Sequence, residues 1–282
     1  MAMGKSFNVV IFGESGVGKS SLINLLFNKD IAETSDAALG CTFESKLYRG
    51  DREGHSFNIY DTTGLNESEK GLVKPEVAVG NLMKLINSLT DGIHLLIMCM
   101  KKGRINNAVS NNYQLFYDGI FEASVPILLV VTQCELDDPI DSWKIHNQAL
   151  LRSQFKMNFH DIICVTTLNK GKHASKFKEE YTLSREALGA AIAQHSLKQP
   201  WVIKNFMDFL MVLLKRIWNI IASYCSFQKL PLSNLIYSIF QKLGFSDREA
   251  TDKANTLLDE LKHNHMSIKI IDVDGTEEGS TE

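Results

Sequence analysis

The sequence predicts an α/β fold of three layers, a mostly parallel sheet covered by helices on both sides, with a helical appendage toward the C-terminus. Three observations carry that prediction. Apolar, β-branched runs of strand length alternate with helical segments between residues 7 and 195, the pattern of a parallel sheet with crossover helices. The runs "HLLIMCM" and "ILLVV" are apolar without alternation, as strands buried on both faces are. After Pro200 the strand-like runs stop and helical spacing alone remains.

Taken in order, "FNVVIF" (Phe7 to Phe12) is the first strand. A glycine-rich stretch follows, and then "SLINLLFN" (Ser21 to Asn28), where Leu22, Leu25 and Leu26 recur at helical spacing. "FESKLY" (Phe43 to Tyr48) and "HSFNIYD" (His55 to Asp61) are joined by charged and glycine residues, which predicts a hairpin adding one antiparallel edge strand. Gly92 to Met100, Pro126 to Thr132 and Asp161 to Thr167 supply the remaining strands, with helices expected near 76–89, 106–121, 139–155 and 175–195. Residues 1–198 are thus expected to form one domain.

The stretch Trp201 to Cys225 is the most apolar in the chain, yet Lys204, Asp208, Lys215 and Arg216 interrupt it. Charges near the middle of a span cost about 2.5 to 3.5 kcal/mol each, which the apolar residues do not outweigh. On a helical wheel those four fall with Asn219 and Ser223 in one stripe, leaving a broad apolar face. Residues 201–225 are therefore expected to press against protein or to lie in a membrane interface. Two more amphipathic helices come next, with Gly244 ending the first and Ser246 capping the second through a box completed by Glu249. Residues 199–264 read as a helical appendage and 265–282 as a disordered acidic tail.

Of the 282 residues 44% are hydrophobic and 22% charged, an ordinary globular composition. The net charge of −3 gives no overall attraction for nucleic acid, so no nucleic-acid partner is expected. Five scattered cysteines form no C-x-x-C pair, and no apolar leader precedes the first strand. A cytoplasmic chain with reduced, mostly buried thiols is expected.

The chemistry is concentrated in "GESGVGKS", Gly13 to Ser20. Set between a strand and a helix, this is the pattern of a loop that cradles phosphates. Gly13, Gly16 and Gly18 free backbone amides to turn inward. Ser15, Val17 and Ser21 add their own, while Lys19 supplies a mobile cation and Ser20 a hydroxyl for Mg²⁺. The start of the helix after the loop places its positive dipole end at the same anion. "NIYDTTG" puts Asp61 at the end of a strand about 40 residues further on, where it can hold Mg²⁺ through water while the Gly64 amide senses a γ-phosphate. Thr42 in "LGCTFES" completes the Mg²⁺ set in a loop that is the candidate switch. Lys19, Thr42 and Gly64 are the candidate catalytic residues.

These residues carry a resemblance. "GESGVGKSSLIN", "GCT", "DTTGLNE" and "VVTQCE", with "LLIMCMKKGRIN" and its Gly103 and Arg104, are similar to phosphate-loop GTPases of the septin and immunity-associated (GIMAP-like) branch, including uncharacterised fungal G-domain proteins. The likeness covers roughly residues 6 to 195. It implies a G domain that binds GTP and GDP with Mg²⁺, hydrolyses GTP, and pairs with a second copy across the nucleotide face. It also implies that the guanine base is read where such proteins carry N/T-K-x-D, here Thr132, Gln133, Cys134 and Glu135. Glu135 still offers two acceptor oxygens, but Gln133 lacks the lysine's charge. Thr166 and Thr167 are the candidates for the final base-contacting loop. Leu65 stands where Ras-like proteins have a water-orienting glutamine, so slow intrinsic hydrolysis is expected. A nucleotide-binding scaffold with negligible turnover is the alternative, and a small-molecule kinase a third. "DVDGT" near the C-terminus matches a phosphatase nucleophile motif without the domain such a motif needs downstream.

Overall fold

A computed structural model describes residues 5–32, 45–62, 89, 91–172, 174–203, 236–237, 241 and 246–263. Its elements are β1 (Ser6–Phe12), α1 (Lys19–Phe27), β2 (Ser45–Arg52), β3 (His55–Thr62), β4 (Leu95–Lys101), α2 (Asn107–Tyr113), β5 (Ile127–Thr132), α3 (Ser142–Ser153), β6 (Asp161–Cys164), α4 (Lys178–His195) and α5 (Asp247–His263). A π-helical segment, Gln114–Ile120, extends α2, and a 3-10 turn, Ala174–Phe177, precedes α4. The six strands form one sheet in the order β2-β3-β1-β4-β5-β6. β2 is antiparallel to β3, and all other pairs are parallel.

The period of two along each strand sorts the core into two layers. Val9 and Ile11 of β1, Leu95, Ile97 and Cys99 of β4, and Leu128 and Val130 of β5 face α1 and α4. Val10, Phe12, Leu96, Met98, Met100, Leu129 and Val131 face the side of α2 and α3. Both sets are buried, which is why these strands carry no polar alternation.

The hairpin forms as expected but runs longer. β2 continues to Arg52 because Glu53 and Gly54, at φ +53° and +78°, make a two-residue turn that keeps Arg52 opposite His55. The helix expected over 106–121 starts on an Asn106 cap, whose side chain accepts from the Val109 N–H at 2.9 Å. It then widens to π turns that bring Phe116 onto Phe12, ring centroids 4.2 Å apart. β6 stops at Cys164, short of Thr167, because the Thr166 N–H turns to the Ser184 hydroxyl of α4 at 3.1 Å. The helix expected near 76–89 lies outside the described residues except for Leu89, which is buried.

Beyond α4 the chain returns to the sheet. Leu197 N–H donates to His94, and Trp201 exchanges both backbone hydrogen bonds with Ile93 at 2.8 Å, its ring edge-on to Phe121. Ile236, Ala250 and Ala254 are buried in the same cluster as the α2 side of the sheet. The expected capping box forms: the Ser246 N–H and hydroxyl donate to Glu249 Oε2 at 3.0 and 2.6 Å. Residues 204–235 and 264–282, which hold most of the 201–225 stretch and the acidic tail, lie outside the described residues.

Candidate functional site

The parallel register brings the C-terminal ends of the strands to one edge. Ile11 pairs with Asp61, Phe12 with Met98, Lys101 with Thr132, and Val131 with Cys164. The glycine loop leaves β1, whose two neighbours β3 and β4 come next in the chain on opposite sides. That is where open α/β sheets form a ligand crevice.

The loop's shape explains its residues. Gly13 sits at φ +145°, and a Cβ there would collide with the Cys99 carbonyl of β4. Gly16 and Gly18 also have positive φ, +73° and +98°, and Gly18 is the N-cap of α1. No side chain caps α1, so its first amides open on the loop. Ser15 and Gly16 are exposed, Ser20 and Ser21 half-buried, and Val17 buried. Lys19 is 7% exposed, and its ammonium donates to the Gly13 and Glu14 carbonyls at 3.0 and 2.8 Å. These bonds hold the cation over the loop.

One strand away, Asp61 is 5% exposed, and its Oδ1 is buried without a hydrogen-bond partner. Burial raises its pKa, and the positive charges of Lys19 and Lys46 oppose that rise. A buried carboxylate oxygen left unpaired beside a phosphate-type loop, with the Ser20 hydroxyl at the head of α1, is a donor set that fits Mg²⁺. Beneath the loop, burial pushes the Cys99 thiol up to about 12, so it remains a neutral packing group. Cys99, Cys134 and Cys164 are all buried and free of disulfides.

Thr132 is buried at the end of β5, and its hydroxyl donates to the Val17 carbonyl at 2.7 Å. It braces the phosphate loop from the side. Gln133 is exposed at φ +63°, and Glu135 is half-buried with no hydrogen bond or ion pair among the described residues. The loop is folded back by Asp137 N–H to Cys134 carbonyl and by Cys134 N–H to Val165 carbonyl. Thr166 is buried and Thr167 half-buried just beyond β6, on the same edge. Thr42, Gly64 and Leu65 lie outside the described residues.

Sequence reasoning missed one feature of this edge. Lys102, just after β4, forms an ion pair with Asp137, while its N–H donates to the Thr132 carbonyl at 2.9 Å and Trp143 Nε1 donates to the adjacent Gly103 carbonyl at 2.9 Å. Nothing local in "MKKGR" or "CELDD" signals a bond between two loops separated by a whole strand.

Comparison with known proteins agrees with this geometry. Residues 8–133 match the family model described as 50S ribosome-binding GTPase. The tRNA modification GTPase MnmE of Rhizobium meliloti is 30% identical over 135 residues, 48% of this chain and 27% of that protein. Immune-associated nucleotide-binding protein 10 of Arabidopsis thaliana is 33% identical over 104 residues, 35% of this chain and 21% of that protein. The chain thus spans about a quarter of the length of these curated relatives. Among solved structures a dimerization-deficient mutant of Toc33 from Arabidopsis thaliana shares the fold, with a TM-score of 0.51 at 18% identity over 70% of this chain and 88% of that chain. The glycine loop, the sheet order and the family match over residues 8–133, less than half of the chain, agree with the fold of a phosphate-loop GTPase domain.

Proposed function

We propose that this chain binds guanine nucleotides with Mg²⁺ and hydrolyses GTP slowly to GDP, acting as a nucleotide-dependent switch or self-assembling scaffold in the cytoplasm. The observation that carries this is the meeting of a buried Lys19 on a glycine loop with a buried, unpaired Asp61 oxygen one strand away. Lys19 neutralises the β- and γ-phosphates, and the amides from Gly13 through Ser21 cradle their oxygens. Gln133, Glu135 and Thr167 take the base, with Thr132 holding the loop between base and phosphates. Ser20, Asp61 and Thr42 hold Mg²⁺, whose charge offsets that of the phosphate oxygens.

In the reaction water attacks the γ-phosphate, and Thr42 and Gly64 respond to its presence. Leu65 offers no polar group to orient that water, which makes the intrinsic rate low and favours a negligible-turnover scaffold as the second reading. We place the G domain at residues 1–198, the helical appendage at 199–264 and an acidic tail at 265–282, with kinship to immunity-associated GTPases supported by the Arabidopsis relative. Dimerization is important for the GTPase activity of the chloroplast translocon component Toc33; pairing of two copies of this chain across the nucleotide face is part of the same proposal. Among the described residues no helix is long and apolar enough to cross a membrane. The apolar stripe in the sequence of residues 201–225 supports the proposal that this stretch meets a membrane surface or a protein.

Single-turnover hydrolysis of GTP across a wide protein concentration range tests the scheme. A slow rate that rises with concentration supports a self-activating GTPase. A concentration-independent rate overturns self-activation, and no hydrolysis despite tight binding selects the scaffold.

A further inference from the structure

We propose that the Lys102–Asp137 ion pair is the clamp that sets base selectivity, by anchoring Asp137 and leaving Glu135 as the acid that faces the base. This inference rests on the guanine-nucleotide function proposed above. The loop Thr132 to Asp138 contains Glu135, Asp137 and Asp138 and no Lys or Arg. Its counter-charge comes from Lys102, on the loop after β4.

The clamp is part of a continuous set of bonds along the site edge. The Thr132 hydroxyl donates to the Val17 carbonyl of the phosphate loop, and the Thr132 carbonyl accepts from the Lys102 N–H. Lys102 then reaches Asp137, and Trp143 of α3 holds the Gly103 carbonyl. The side chain of Asp137 is 13% exposed and that of Lys102 35%, so the carboxylate is sheltered while the ammonium stays partly open to solvent, which screens the pair. The second Asp137 oxygen is buried with no hydrogen-bond partner. Without Lys102 that carboxylate would be left mostly buried and uncompensated, and the loop would move to hydrate it.

The pair therefore separates the roles of two neighbouring acids. Asp137 is committed to the scaffold by a direct bond to Lys102, while Glu135 has no hydrogen bond or ion pair among the described residues and meets the Lys102 charge only at longer range. An acceptor-only carboxylate suits the guanine edge, with its ring N–H and 2-amino donors, and opposes adenine, which presents a ring acceptor there. Lys102 and Asp137 are positioning residues for this selection. Glu135 is the contact.

The test is a binding titration with GDP, inosine diphosphate and ADP in Mg²⁺, on the full chain and on Lys102→Met, Lys102→Arg, Asp137→Asn and Glu135→Gln, with thermal unfolding measured beside it. The expected result is that Lys102→Met and Asp137→Asn each narrow the GDP-to-ADP ratio by about tenfold or more, the scale of a lost charge-assisted contact. Lys102→Arg should retain the ratio, and Glu135→Gln should reduce the preference for GDP over inosine diphosphate. A merely structural pair would instead lower the melting temperature and weaken all three nucleotides equally, which overturns the proposal. An unchanged ratio in Asp137→Asn overturns it too, whatever the folding of Lys102→Met. Wild-type protein without preference for GDP over ADP overturns the guanine assignment itself, a result distinct from a wild-type preference that the variants leave intact.

Discussion

At Gly13 a single hydrogen in place of a methyl group decides whether the phosphate loop can close, since a Cβ there would strike the Cys99 carbonyl at a φ of +145°. Gly13→Ala is expected to cost about 2 kcal/mol or more through overpacking and backbone strain. Its melting temperature and nucleotide affinity should both fall, and wild-type values for both would refute the packing account. Thr132→Val keeps the shape but removes the 2.7 Å donor to the Val17 carbonyl, leaving it the weak Cys99 thiol contact at 3.7 Å, a loss of about 1 kcal/mol. Calorimetric unfolding with and without GDP measures it. The meeting of Gly13, Lys19 and Asp61 at one edge of the sheet is legible in the sequence because each follows from a short pattern beside a strand, while their roles toward a nucleotide are part of the proposal. Thr132 was legible as a position but not as a brace, and Lys102 with Asp137 was not legible at all. Those contacts join residues 115 and 35 positions apart, and only the sheet register brings them together.

Among the elements, the start of β4 gives the domain a pH dependence. The Asn8 N–H donates to His94 Nδ1 at 3.0 Å, and the Asn8 side chain ties Gly92 and Asn58 to the same spot. Burial lowers the His94 pKa below its usual value near 6.5. The folded state therefore prefers the neutral ring, while the unfolded chain takes up a proton first. The stabilisation is complete above pH 6.5 and is lost as pH falls through the lower folded value. Unfolding midpoints should drop between pH 7 and 5, and His94→Gln should flatten that slope; an equally steep slope in the variant would place the titration elsewhere. The strands and the edge hairpin are readable from apolar runs and turn residues, whereas the strand order comes from the structure. The π segment after α2 was not, because Phe116 stacking on Phe12 is a tertiary contact that overrides a uniform helical pattern.

For the whole molecule, the sheet and the C-terminal helices share a core. The helical appendage expected at residues 199–264 lies mostly outside the described residues, and the parts of it that are described pack on the sheet. Trp201 pairs with Ile93, and Ile236, Ala250 and Ala254 are buried with the α2 face; small alanines on an amphipathic helix give no signal of what covers them. Truncation after residue 203 is expected to lower the melting temperature, because it opens that face of the core, while leaving GDP binding at the opposite end of the strands measurable. Trp201→Ala in the full chain should cost about 2 kcal/mol, the lower end for a half-buried large aromatic. Chemical denaturation of the two variants checks both, and a truncated chain as stable as the full one would contradict the shared core.

The central claim is that the edge formed by Gly13 to Ser21, Asp61 and the loop after β5 is a guanine-nucleotide site. Titration of the full chain with fluorescent GDP, GTP and ATP analogues, with Mg²⁺ and with the ion chelated, tests it most directly when paired with Lys19→Ala. The predicted result is saturable binding of GDP and GTP that is stronger than that of ATP, weakened by chelation, and largely lost in Lys19→Ala. Binding that is unchanged in Lys19→Ala, or the absence of any nucleotide binding by the folded wild-type chain, would contradict it.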